Sequence, residues 1–216
     1  MLNVILLESS ISLLPRRFWD WPEAKAYYRR FNVRPEDQVL DVSFHFRIVK
    51  ALGNPKLGRP DIVHLTLLVV LSLPRKMIGD IFIHTIEGKI IRVSREVRPP
   101  KNYYRFLGLV SQLLREGRVP PEGEPLMEVL PQTSLRDLVQ GKLILLDEKG
   151  EIRSPEEVCD LAEGKFLGIG AFPHGEFAKE IYDLAVKRIS IHSEVLEAYQ
   201  TVCLLGSPCW SKSALK

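Results

Sequence analysis

The chain has 216 residues, is 45% hydrophobic and 26% charged, and carries a net charge of +3. These values exclude a disordered polyelectrolyte and leave room for one large buried core or two small ones. Cys159, Cys203 and Cys209 are too few for a disulfide framework, no His/Cys cluster has metal-ligand spacing, and no apolar run is long enough to span a membrane, so we expect a metal-free cytoplasmic protein in a reducing compartment.

In chain order, residues 2–8 form an apolar run without a basic leader or cleavage site, which predicts a first buried strand. Trp21-Pro22-Glu23 opens a helical stretch to about Phe31, rich in aromatic and basic side chains. The stretch Val39 to Ile48 is mixed. From Pro60 to Leu73 the pattern is that of a buried helix, with proline and Asp61 in the first turn and Pro74 behind its end. Two β-rich runs, 81–85 and 89–93, flank Glu87-Gly88 and predict a hairpin.

Tyr103, Phe106, Leu107, Val110, Leu113 and Leu114 then fall on one face at three-and-four spacing, with Gly117 placed to cap the helix. Residues 118–135, with four prolines, predict a long loop. A strand at 143–146 is expected to turn at Glu148-Lys149-Gly150. Ser154-Pro155-Glu156-Glu157 reads as a capping box for a helix ending at Gly164. A strand at 166–171, a helix at 177–186, a short strand at 188–191 and a last helix from Glu194 to about Leu205, capped by Ser193, complete the chain. This alternation predicts an α/β fold with a mostly parallel sheet in the C-terminal half.

Two kinds of residue point to chemistry. Gly168-Ile169-Gly170 with Gly175 is a glycine-rich bend leaving a strand, where a ligand can approach the main chain closely. It is not a dinucleotide fingerprint, because the glycine spacing is wrong and Pro173 blocks the required helix start. The bland alternative is a plain strand-to-helix turn. Arg98, Lys101 and Arg105 are spaced to present cations at a helix N-terminus, which suits phosphate, although such residues also serve as an ordinary solvated face. Arg59 lies two residues from Asp61, a carboxylate able to hold its guanidinium plane, or merely a surface pair. His64 on an apolar helix suits a core histidine, and His174 sits in the glycine bend. The aromatic and basic stretch from Arg16 to Phe31 suits RNA stacking or an amphipathic helix equally.

Leu40-Asp41-Val42-Ser43, Gly58 to His64, Ile83-His84-Thr85, Val97 to Arg105 and Gly170 to Gly175 together resemble the pseudouridine N1-specific methyltransferases of small-subunit ribosomal RNA. These belong to the SPOUT superfamily and act in ribosome biogenesis; the compact length is similar to the archaeal branch. The resemblance implies one SPOUT domain over 1–216, with residues about 10–55 as a family-specific insertion and about 140–216 as the knotted cofactor-binding part. It further implies a C-terminal deep trefoil knot, a homodimer, S-adenosyl-L-methionine as cofactor and small-subunit rRNA as partner.

Matched by position, the resemblance assigns cofactor binding to Ile144, Gly170, Gly175, Ile191, His192, Ser193, Glu194, Val195 and Leu196. RNA binding falls to Arg59, Arg98, Lys101 and Arg105, and catalysis to Arg59 with Asp61 as its orienting carboxylate. Three departures stand out. His45-Phe46 replaces a frequent histidine pair, Lys101 stands where arginine is common, and 191–196 lacks a proline that some relatives carry. The rival functions are a non-catalytic RNA-binding ribosome assembly factor and a SPOUT methyltransferase acting on tRNA.

Overall fold

Leu2–Ser9 forms β1 near the middle of an eight-stranded sheet, in a computed structural model that describes residues 1–214. Because strand side chains alternate faces, Leu2, Val4 and Leu6 enter one core and Ile5 and Leu7 the other. Both faces are covered, so β1 is apolar almost throughout instead of alternating.

The remaining strands are β2 (Ile78–Thr85), β3 (Ile90–Val93), β4 (Arg118–Val119), β5 (Met127–Leu130), β6 (Leu143–Ile152), β7 (Phe166–Gly170) and β8 (Ala185–Ser190). Their order is β4-β5-β3-β2-β1-β7-β6-β8. The run from β2 through β1, β7 and β6 to β8 is parallel, while β3, β4 and β5 add an antiparallel edge. The C-terminal half is thus parallel, as the strand–helix alternation predicts.

The helices are α1 (Pro22–Phe31), α2 (Val42–Leu52), α3 (Pro60–Ser72), α4 (Tyr103–Glu116), α5 (Leu135–Val139), α6 (Pro155–Leu161), α7 (Lys179–Leu184) and α8 (Ala198–Ala214). Side chains of α3, α4, α6 and α8 join Leu2, Val4 and Leu6 in the larger core, and those of α5 and α7 join Ile5 and Leu7 in the other. A third, smaller core of Leu14, Phe18, Ala24, Leu40 and Ile48 holds α1 and α2 together. That excursion closes on itself through an antiparallel bridge between Leu13 and Val39.

Several local expectations are met for their stated reasons. Gly117 takes a left-handed conformation at the C-cap of α4, and both arms of the Ser154 capping box form. Others are corrected. Residues 118–135 contain β4 and β5, short strands that the prolines bound instead of excluding. The expected turn at 148–150 is a long bulge within β6, where Leu146 and Glu151 both oppose Ile189. Gly150 is needed there, since a Cβ would lie 2.5 Å from the backbone nitrogen of Ile189. The helix expected over 177–186 is only α7, because Ala185 already enters β8.

The last helix also differs. Residues 194–197 form a loop, α8 starts at Ala198, and it runs through Gly206 and past Pro208. Packing of α8 against α3 and α6 overrides both helix-breaking signals. Cys159 and Cys209 form a disulfide that ties α6 to α8, and Cys203 is free and exposed. Counting cysteines argued against a multi-bridge framework but could not detect one staple between residues 50 apart in sequence. No helix among the described residues is long and apolar enough to cross a membrane.

Candidate active site

The C-terminal ends of β6, β7 and β8 meet at one cavity of about 510 Å³. Parallel strands with crossover helices leave such a crevice beyond their carboxyl ends, so the site follows from the topology. Leu146 to Lys149 of β6 form one wall, Gly170 and Phe172 to Phe177 the second, and Ser190, Ile191 and Glu194 to Ala198 the third. Ile62 and Thr201 contribute from α3 and α8.

The glycine bend is shaped by its aromatic residues. A Cβ on Gly170 would lie 2.9 Å from Phe177 Cζ and 3.1 Å from Phe172 Cε1, so only glycine lets the rings close over the strand end. The two rings meet edge to face at 5.2 Å between centroids. Lys149 of the β6 bulge pairs with Glu176 of the bend, and this contact holds the Glu176 carboxyl below its usual pKa. Asp147 is nearly buried; it accepts from Arg188 Nη2 at 2.9 Å and from the Lys149 amide at 3.0 Å. Asp147, Glu148, Glu176, Glu194 and Glu197 line the cavity; Arg188 and Lys149 offset Asp147 and Glu176, and the other three leave it acidic.

Ser10 ties this cavity to the Arg59 segment. Its backbone N–H donates to the Ala171 carbonyl at 2.9 Å, and its hydroxyl oxygen accepts from the Arg59 N–H at 2.8 Å. Arg59 forms a two-pronged pair with Asp61, Nε to Oδ1 and Nη2 to Oδ2, both at 2.8 Å. The Asp61 hydrogen bond, opposed by partial burial and helped by the charge of Glu197, raises the guanidinium pKa above its ordinary value. Ile62, next to Asp61, and Glu197 both line the cavity, so the pair stands at its mouth. A bidentate pair fixes the plane of the guanidinium as well as its charge.

Arg98, Lys101 and Arg105 are exposed and have no ion-pair partner among the described residues. They flank the start of α4, whose N-cap Asn102 accepts from the Arg105 amide at 3.1 Å. The Pro99-Pro100 segment between them is pinned to α3, since His64 Nε2–H donates to the Pro100 carbonyl at 2.7 Å. His64 is also stacked on Phe106 at 4.4 Å, which makes it the hydrogen-bonded core histidine its position suggests. Tyr103 donates to Asp41 Oδ2 at 2.5 Å; burial and that bond push its phenol pKa up. His45 is fully buried and neutral, accepting from the Asp41 amide at Nδ1 and bonding Gln38 through Nε2. Burial lowers its pKa.

Of the residues assigned to the cofactor, Gly170, Gly175, Ile191, Glu194, Val195 and Leu196 line the cavity. Ile144 lies further back in β6, buried in the core, and His192 and Ser193 are exposed on the neighbouring loop. The Asp147 to Lys149 bulge, Phe177 and Thr201 also line the cavity and were missed. Their signals were weak, because the bulge looked like a turn and Thr201 sits inside a helix that begins later than its sequence suggests. No group of three or more His, Cys, Asp or Glu side chains suited to a metal occurs among the described residues.

The EMG1/NEP1 methyltransferase family profile matches residues 4–207. This chain belongs to that family. Among EMG1/NEP1 relatives, the "Ribosomal RNA small subunit methyltransferase Nep1" of Saccharolobus solfataricus is 50% identical over 210 residues, 96% of each chain. The protein of the same name from Sulfurisphaera tokodaii is 45% identical over 211 residues, again 96% of each. The crystal structure of Archaeoglobus fulgidus Nep1 bound to S-adenosylhomocysteine superimposes with a TM-score of 0.88 at 34% identity, covering 100% of this chain and 99% of that one.

Proposed function

We propose that this chain uses S-adenosyl-L-methionine to methylate N1 of a pseudouridine in small-subunit rRNA during ribosome biogenesis. The observation that carries the proposal is the placement of an acidic cavity at three parallel strand ends beside a rigid Arg59–Asp61 pair. The cofactor, when bound, supplies a methyl group already activated on a positively charged sulfur, so the protein contributes positioning and electrostatics.

The residues present fit that group. Glu148, Glu194 and Glu197, which line the cavity without an ion pair among the described residues, favour a cation, and the Gly170 bend lets Phe172 and Phe177 pack at the strand end as apolar walls. Similarity to a relative that binds S-adenosylhomocysteine points the same way. Gly170, Gly175, Ile191, Glu194, Val195 and Leu196 would contact the cofactor, with Ile144, His192 and Ser193 behind or beside them.

Arg59, Arg98, Lys101 and Arg105 hold the RNA. In the transfer the N1–methyl bond forms as the sulfur–methyl bond breaks, leaving S-adenosylhomocysteine, and the N1 proton passes to water, so negative charge builds on the uracil as that proton leaves. Arg59, its plane fixed by Asp61, donates to that charge. The target base must leave its loop to reach the cavity mouth.

Residues about 140–216 are taken as the knotted cofactor-binding part and about 10–55 as the family insertion within a single SPOUT domain. A homodimer is expected, with exposed Leu65 and Leu204 on the packed pair α3 and α8 as apolar surface for a second copy. The cytoplasm, where ribosomes assemble in cells without a nucleus, is the proposed location.

Matched RNA hairpins with uridine or pseudouridine at the target test the assignment, alongside calorimetric titration of S-adenosylhomocysteine. Methyl transfer only to pseudouridine is expected. Transfer to uridine removes the N1 assignment, and RNA affinity without cofactor binding leaves a non-catalytic assembly factor.

A further inference from the structure

We propose that the groove between α1 and α4 is a stacking site for an unpaired RNA base flanking the target, separate from the four-cation face. The inference rests on the proposed RNA substrate and extends it. The groove has a volume of about 670 Å³, larger than a nucleobase, and its opposed walls carry Tyr28 and Tyr104. These tyrosines are 45% and 48% exposed, so much of each ring is open to a ligand.

The Tyr104 ring is braced from behind. Phe31 lies 5.1 Å from it and Phe44 6.4 Å, and these two meet each other at 5.3 Å. Such bracing holds the platform in place before a ligand arrives, which reduces the ordering cost of binding. Bases stack on aromatic rings whatever their identity, so the platform suits single-stranded RNA of any sequence.

Unpaired cations stand next to the aromatic platform. Arg30 sits over Phe31 at 5.0 Å, and neither it nor Arg29 has a carboxylate partner among the described residues. Within the groove Arg34 pairs with Glu36 and Asp37, and Arg115 with Asp37, so these two cations are neutralised. The lining of the groove itself balances Arg34 and Arg115 with Asp37 and Glu116, while Arg29 and Arg30 follow Tyr28 on α1 outside it. Arg105 borders it, because Arg105 and Gln112 share a side of α4 at seven-residue spacing and Gln112 lines the groove. An RNA strand held by Arg98, Lys101 and Arg105 can thus continue along α4 into the groove.

Gly108 provides a clean perturbation. It lines the groove, and an added Cβ there would meet nothing within 4 Å. Gly108→Leu should fill the groove without disturbing α4. The experiment uses the full chain and an RNA hairpin carrying the target pseudouridine, with 2-aminopurine placed in turn at each unpaired flanking position. Wild type should quench one position strongly; Gly108→Leu and Tyr28→Ala/Tyr104→Ala should lose that quench. Both variants should weaken RNA binding by roughly five- to a hundredfold with an unchanged salt slope, since stacking releases no counterions. Melting temperatures report that the variants fold. Wild-type affinity in both variants, or a loss accompanied by a changed salt slope, overturns the stacking site while the methyltransferase assignment stands. Absence of RNA binding by the wild type overturns both.

Discussion

Lys56→Met should destabilise the protein and loosen the glycine bend at once. Lys56 Nζ donates to Glu8 Oε2 at 2.7 Å, with side chains only 13% and 8% exposed. The same carboxylate oxygen accepts from the Ala178 amide at 3.2 Å, just behind the glycine bend. Lys56 also lies 4.6 Å from the Phe172 ring centroid. Glu8 itself holds a left-handed backbone conformation (φ 47°), a strained state that the surrounding contacts maintain.

Stranding one partner of a buried ion pair costs about 3–5 kcal/mol. The Ala178 N–H remains on the carboxylate, which places the expectation near the lower bound, about 3 kcal/mol. For a chain of this size that corresponds to a fall in melting temperature of about 6–12 °C. Glu8→Gln in the same background removes the unpaired charge while keeping an acceptor for Ala178, so the double variant should recover about half the loss or more. Urea unfolding of the wild type, both single variants and the double variant measures the coupling, and S-adenosylhomocysteine titration measures the bend. Additive effects within about 0.5 kcal/mol, or a Lys56→Met protein as stable as wild type, would refute the idea that this pair anchors the bend.

Three further outcomes are expected. Arg98→Ala or Arg105→Ala should weaken RNA binding and reduce the log–log salt slope by about one each, while S-adenosylhomocysteine affinity stays unchanged; an unaltered slope would remove these residues from the RNA face. Burial lowers the pKa of His45 and His84 from 6.5, so the unfolded chain binds more protons below that pH. Their contribution to stability is complete above pH 6.5 and lost as pH falls towards the lowered folded values; a flat unfolding free energy from about pH 7 to 5 would contradict it. Cys209→Ser should cost about 4 kcal/mol, the chain-entropy value for closing a loop between residues 50 apart, read by thermal unfolding of wild type and variant under oxidising conditions. Equal melting temperatures would show that α8 is held without the staple.

Much of the fold was legible because its signals are local. The apolar stripe and Gly117 defined α4, the Ser154 box started α6, and the alternation of strands and helices required a parallel sheet. Arg59 and Asp61 were adjacent enough for pairing to be anticipated, and the two-pronged bond forms. The β6 bulge was harder, since Glu148-Lys149-Gly150 carries turn residues whose bend depends on a strand arriving 39 residues later at Ile189. The same holds for the late start of α8, where packing on α3 and α6 decides what cap residues alone could not.

By itself the sequence determined which segments bury apolar faces, where helices begin with good caps, and which cations stand beside prolines. Only the tertiary structure decided that the ends of β6, β7 and β8 enclose one cavity, that Glu8 meets Lys56, and that Cys159 meets Cys209. The division follows from range. Propensity and periodicity act over a few residues, whereas cavities, buried ion pairs and disulfides join parts of the chain that only the packed sheet brings within contact.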